Sequence, residues 1–139
     1  VGTARGHRLV PHTADVRIEA WAPDRAGCLA EAVRAMVESF ADLARARPRA
    51  DREFHPAPAT DEDLLVTVLD EVIFRMETAD ELPVTTEVAQ DVGGLRVHWA
   101  VTRTGEVELI GAVPKAVSLH ELRFGGGHAG WSCAVTLDV

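Results

Sequence analysis

Apolar and polar positions alternate strictly from Val16 to Trp21. Val16, Ile18 and Ala20 fall on one side; Arg17, Glu19 and Trp21 fall on the other. A period of two is the mark of a half-buried strand, so residues 14–22 are expected to form one, with a shorter candidate at 6–10. Pro23-Asp24 ends it, and Asp24 can cap a helix starting at Arg25. From Arg25 to about Ala46 the apolar residues recur at 29, 33, 36, 37, 40 and 43. That is a helical stripe, with Arg25, Glu31, Arg34, Glu38 and Asp42 on the wet side. Pro48 breaks it, and a short strand can run from Ala50 to His55. A second helix starts at Thr60, where Thr60 and Asp63 resemble a capping box and three carboxylates occupy the first turn. Its apolar face is Leu65, Val68, Leu69, Val72, Ile73 and Met76.

After Pro83 the period changes to two. "VTTEVAQDV", "LRVHWAVTR", "VELIGAV", "KAVSLHELRF" and "WSCAVTLDV" are five strand-like runs separated by Gly93-Gly94, Thr104-Gly105 and Gly125-Gly126-Gly127. Hairpin connections favour antiparallel pairing. The expected architecture is α+β: two helices packed on mainly antiparallel sheet, in a single domain over residues 1–139.

Composition narrows the function. Net charge is −8, from 22 acidic residues against 14 Lys plus Arg. A surface that relies on phosphate contacts would be basic, so no direct nucleic-acid binding is expected, and a protein partner or cations suit the chain better. Residues 1–8 hold no apolar core, and no run approaches the ~18–20 apolar residues of a membrane helix. The expectation is a soluble, cytoplasmic protein. Cys28 and Cys133 form no CxxC, which fits two buried thiols in a reducing compartment.

The candidate chemistry sits at strand ends. Asp15 opens the strand at 14–22 on the face away from Val16 and Ile18. In the last strand Trp131, Cys133, Val135, Leu137 and Val139 share one face, and Asp138 belongs to the other. If the two strands are antiparallel neighbours, their carboxylates meet at one rim. Such a cluster wants a cation. Hard oxygen donors suit calcium, manganese or magnesium better than zinc, and Lys115 is an alternative counter-charge as the only lysine in the chain. The plainer reading of each Asp is a turn or cap residue. His12 and His120 read equally as structural histidines, the latter half-buried beside Leu122 and Phe124. His7, His55 and His128 read as solvated loop residues. "GGGHAG" at 125–130 lacks the GK[ST] of a phosphate-binding loop and reads as a flexible hairpin loop. No Ser–His–Asp order or nucleophile elbow is present.

Four separated motifs resemble the archease family: "HTADVRIEAWAPD" at 12–24, "DEDLL" with "LDEVIF" in the second helix, "KAVSLHEL" at 115–122, and the closing "WSCAVTLDV". The resemblance spans nearly the whole chain in order. It departs at Val68, where the family commonly has Trp, and at Leu119, where it often has Tyr. The resemblance implies a non-catalytic activator of an RtcB-type RNA ligase, acting in tRNA splicing or RNA repair. That ligase joins ends bearing a 2′,3′-cyclic phosphate or 3′-phosphate to 5′-hydroxyl ends through a histidine–GMP intermediate. The activator promotes guanylylation with GTP and multiple turnover through an acidic, metal-binding tip. The family's metal residues correspond to Asp15, Asp138 and Val139, with calcium the first expectation. Lys115 corresponds to a functional lysine. His12 then orients Asp15, and His120 remains a candidate. Two alternatives stand beside this reading. A general chaperone or protein-binding module would explain the acidic surface but not the paired carboxylates. A metal-dependent hydrolase would need a pocket joining His12, His120 and the acids.

Overall fold

The structure, a computed structural model, describes residues 4–10 and 15–139. Its strands are β1 (Gly6–Val10), β2 (Asp15–Ala22), β3 (Ala41–Asp42), β4 (Ala50–Phe54), β5 (Glu81–Asp91), β6 (Gly94–Arg103), β7 (Glu108–Leu109), β8 (Ala116–Gly127) and β9 (Gly130–Asp138). Its α-helices are α1 (Arg25–Glu38) and α2 (Asp61–Ala79), and a 3-10 turn spans Thr104–Glu106. The larger sheet has the order β1-β2-β9-β8, the second β4-β6-β5, and β3 and β7 form a two-stranded pair. Every pairing among the described residues is antiparallel. The two helices pack on these sheets in one α+β domain, as the periodicities predict. No helix of the described residues is long and apolar enough to cross a membrane.

The caps explain where the helices begin. Asp24 Oδ1 accepts the Gly27 amide at 2.6 Å, and Thr60 Oγ1 accepts that of Asp63 at 3.3 Å. Each satisfies one of the amides a helix start leaves free. Residues 65, 68, 69, 72, 73 and 76 of α2 are all buried, joined by Leu64. They meet Ile18, Val33, Met36, Trp99, Val135 and Leu137 in one aliphatic core. Arg75 caps its aromatic corner, its guanidinium lying 5.4 Å from the Trp99 ring and 6.0 Å from that of Phe54.

Four sequence expectations change. First, α1 ends at Glu38 and does not run on to Ala46. Phe40 is buried as the stripe requires, but in the turn after the helix, its amide donating to the Val37 carbonyl at 3.2 Å. Ala41 beyond it pairs with Leu109, and the Ile110 amide donates to the Phe40 carbonyl at 2.8 Å. Second, Glu31 is not on a wet face and His7 is not a solvated loop residue. His7 lies in β1 with Nδ1 2.8 Å from Glu31 Oε1 and Nε2 2.7 Å from Glu38 Oε1, and Arg5 also donates to Glu31. Nearly every side of α1 is covered, so a one-sided stripe understates its burial. Third, "VELIGAV" supplies only the two residues of β7. Fourth, the glycine run is strand. Gly125, Gly126 and Gly127 continue β8 in register with Ser132, Trp131 and Gly130. A Cβ on Gly126 would stand 2.5 Å from the Trp131 ring, so glycine is required there by close approach.

Leu69 is fully buried. Leu69→Ala should lower the unfolding free energy by about 2–5 kcal/mol in urea titrations. Val92→Ala, at the exposed β5–β6 hairpin, should change it by less than about 0.5 kcal/mol.

Candidate functional site

The register of β2 on β9 sets the geometry of the rim. Asp15 is the direct cross-strand partner of Asp138, and the ladder continues through Val16–Leu137, Arg17–Thr136 and Ile18–Val135. Directly opposed residues project from the same face with Cβ atoms about 4.5–5.5 Å apart. The first residue of one strand and the last of another therefore present two carboxylates side by side, on the face opposite Val16 and Leu137. Asp138 is exposed and Asp15 half-buried.

On its other side β9 meets β8. Ala116 pairs with Asp138, and the Lys115 amide donates to the Asp138 carbonyl at 2.7 Å. Three segments distant in sequence thus converge on one edge: the start of β2, the residue before β8 and the end of β9. Lys115 is exposed there, and Val139 follows Asp138 beyond the strand. His12 lies outside the described residues.

The structure does not bring His120 to this pair. Between Ser118, opposite Thr136, and Arg123, opposite Ala134, β8 leaves the ladder, so residues 119–122 stand against Val135 alone. His120 rides on this excursion with its side chain 84% exposed, 3.5 Å from Glu121 Oε1. The expected half-burial fails because residues outside a ladder do not obey its alternation.

Sequence reasoning missed Arg17. It lies two residues from Asp15 on the same face. Its Nη1 donates to Thr136 Oγ1 at 2.8 Å and its Nη2 to the Glu121 carbonyl at 2.9 Å. Glu121 takes φ 55°, a left-handed conformation that non-glycine residues rarely adopt. Arg17 therefore ties the excursion to β9 one pleat inward from the carboxylate pair. The available signal was its place in the alternation: a cation on the Asp15 face, next in line after the acid.

The donor set fits a hard divalent cation in part. Asp15 and Asp138 supply carboxylate oxygens, and Val139 can add a main-chain oxygen; water would complete such a shell. Among the described residues no group of three or more His, Cys, Asp or Glu is gathered to hold a metal. A zinc-type cage of nitrogen and sulfur is thus absent from those residues, and both cysteines are buried and free. The hydrogen bond to Cys133 and burial push the Cys28 thiol up, away from nucleophilic thiolate character.

Like charges directly opposed across a ladder are destabilising. In chelator, Asp15→Asn and Asp138→Asn should each raise the unfolding free energy by about 0.2–1 kcal/mol. Thermal melts with and without calcium check this; unchanged melts in chelator would show that the carboxylates do not repel.

Known proteins share this outline. Residues 7–139 match the sequence profile described as "Archease protein family (MTH1598/TM1083)". Two Mycobacterium tuberculosis proteins, of strains CDC 1551 / Oshkosh and ATCC 25618 / H37Rv, each carry the name "Probable protein archease". Each is 53% identical over 138 residues, 99% of this chain and 77% of theirs. The solution structure of a Methanobacterium thermoautotrophicum protein superposes with a TM-score of 0.72 at 21% identity, covering 96% of this chain and 99% of that one. The crystal structure of a Thermotoga maritima archease gives 0.67 at 20% identity, covering 95% and 96%. These two likenesses show the shared fold.

Proposed function

The chain belongs to the archease family, and on that premise we propose that it is a non-catalytic activator of an RtcB-type RNA ligase. It serves tRNA splicing or RNA repair by promoting ligase guanylylation and repeated turnover. The observation that carries the reading is the Asp15–Asp138 register pair, with Lys115 bonded through its amide to Asp138. Paired rim carboxylates on a small acidic protein make a tip that can carry a cation to a partner. The hydrolase alternative needs His120 beside these acids, and His120 stands exposed on the excursion of β8 instead.

In this reading Asp15, Asp138 and Val139 hold a divalent ion, calcium first, with manganese or magnesium as alternatives. Bound there, the ion would offset the charge of the carboxylates and offer further coordination sites to oxygen ligands. The chain's own contribution is positional. The β2–β9 ladder holds the two carboxylates together, the Lys115 amide anchors the Asp138 main chain, and Arg17 braces the neighbouring excursion. The Lys115 ammonium is available to an anionic group at the ligase site, and His12 is assigned the orientation of Asp15. The net charge of −8 favours a basic protein surface as partner and disfavours RNA phosphates.

Ligase guanylylation and multiple-turnover joining, each measured with and without this protein, test the proposal. The protein should accelerate both. Asp15→Ala and Asp138→Ala should remove most of that acceleration and abolish calcium binding in calorimetry. Lys115→Ala should lose acceleration while still binding calcium. Full acceleration by both aspartate variants would overturn the tip. Suppression of ligase aggregation without any effect on guanylylation would favour the chaperone alternative.

A further inference from the structure

The face of the molecule that adjoins the rim carries an apolar slot of about 410 Å³. Its floor is Phe40, Ile73 and Met76. One wall is Leu109, Val113 and Pro114, from the chain that crosses the end of α1, and the other carries Glu77 and Asp80 from the end of α2. The crossing chain is held down firmly. The Ile110 amide bonds the Phe40 carbonyl, and Gly111 lies so close that a Cβ would stand 2.5 Å from the Ser39 carbonyl oxygen. With its backbone so placed, this segment still leaves Leu109 55%, Ile110 60% and Val113 41% exposed. Two large apolar side chains, Leu109 and Val113, exposed on the lip of an apolar slot mark an interaction surface. A small molecule filling the slot would leave that lip bare.

Charge specifies the occupant. Glu77 and Asp80 form the acidic wall and Glu108 stands exposed beside Leu109, on a chain whose net charge is −8. Lys115 lines the slot at the end where its own amide holds Asp138. The slot therefore begins where the carboxylate rim ends, and a partner seated in it would be carried next to Asp15 and Asp138.

We propose that this slot docks a basic amphipathic segment of the partner protein, with apolar side chains on Phe40, Ile73 and Met76 and Lys or Arg against Glu77 and Asp80. The proposal rests on the ligase reading above and adds the surface and the chemistry of the contact.

The test pairs affinity with crosslinking. Leu109→Lys and Glu77→Lys alter exposed positions outside the rim and should keep the melting temperature and calcium binding of the parent chain. Each should weaken ligase binding at least about tenfold in calorimetry, and more strongly at low salt for Glu77→Lys. A benzophenone side chain placed at Val113, on the lip of the slot, should crosslink to a ligase peptide containing both Lys or Arg and large apolar residues. Unchanged affinity in both variants, or crosslinks only to acidic peptides, would overturn the slot while leaving the ligase reading intact. A parent chain that does not bind ligase would overturn both. Sedimentation that shows a dimer dissolved by Glu77→Lys would assign the slot to a second copy and overturn this proposal.

Discussion

The pairing of β2 with β9 is the constraint on which the rest depends. Its register runs unbroken from Asp15–Asp138 to Ala22–Trp131. Strand side chains alternate, so a slip of one residue would turn every buried side chain outward. Burial of Ile18, Ala20, Cys133, Val135 and Leu137 therefore selects this register against its neighbours. The same choice sets Asp15 against Asp138. The carboxylate pair is thus tied to the core: the ladder cannot bury its apolar face without opposing the two acids at its end.

That coupling gives the rim its rigidity and its cost. The strands are central in their sheet, flanked by β1 and β8; the β8 ladder reaches Asp138 at Ala116, and the described β1 ladder runs as far as Val10–Arg17. A repulsive pair on a firm support is well suited to take up a cation without rearrangement. β8 contributes twice. It brings Lys115 to the Asp138 main chain, and it breaks from the ladder at residues 119–122 to place an Arg17-tethered excursion nearby. An irregularity held by a specific side chain beside a candidate site is a local departure maintained by its surroundings.

Much of this was legible in the chain itself. Alternation located β2 and β9 and put both aspartates off the core face. Helical spacing identified six of the seven buried positions on α2, omitting only Leu64. The failures share a cause. The end of α1 was misplaced because Phe40 keeps the helical spacing while lying in the turn past Glu38, and the chain after it is drawn into a strand by the pairing of Ala41 with Leu109. His7 and Glu31 were misread because they lie 24 residues apart in the chain. The glycine run looked like a loop because composition does not show that Trp131 lies across it. His120 looked half-buried because an excursion from the ladder leaves no mark in a two-residue period.

The sequence by itself determined the element types, the core faces, the acidic balance and the outward posture of Asp15 and Asp138, since each follows from local period and residue chemistry. Family membership was also written there, in motifs spread along the chain and matched over residues 7–139. Only the tertiary structure decided which strand ends meet, that Lys115 joins them through its amide, that Arg17 serves the excursion, and that an apolar slot opens beside the rim. Those facts depend on hydrogen bonds and packing between residues far apart in the chain. No local pattern encodes which distant partner a strand edge or an exposed side chain will find.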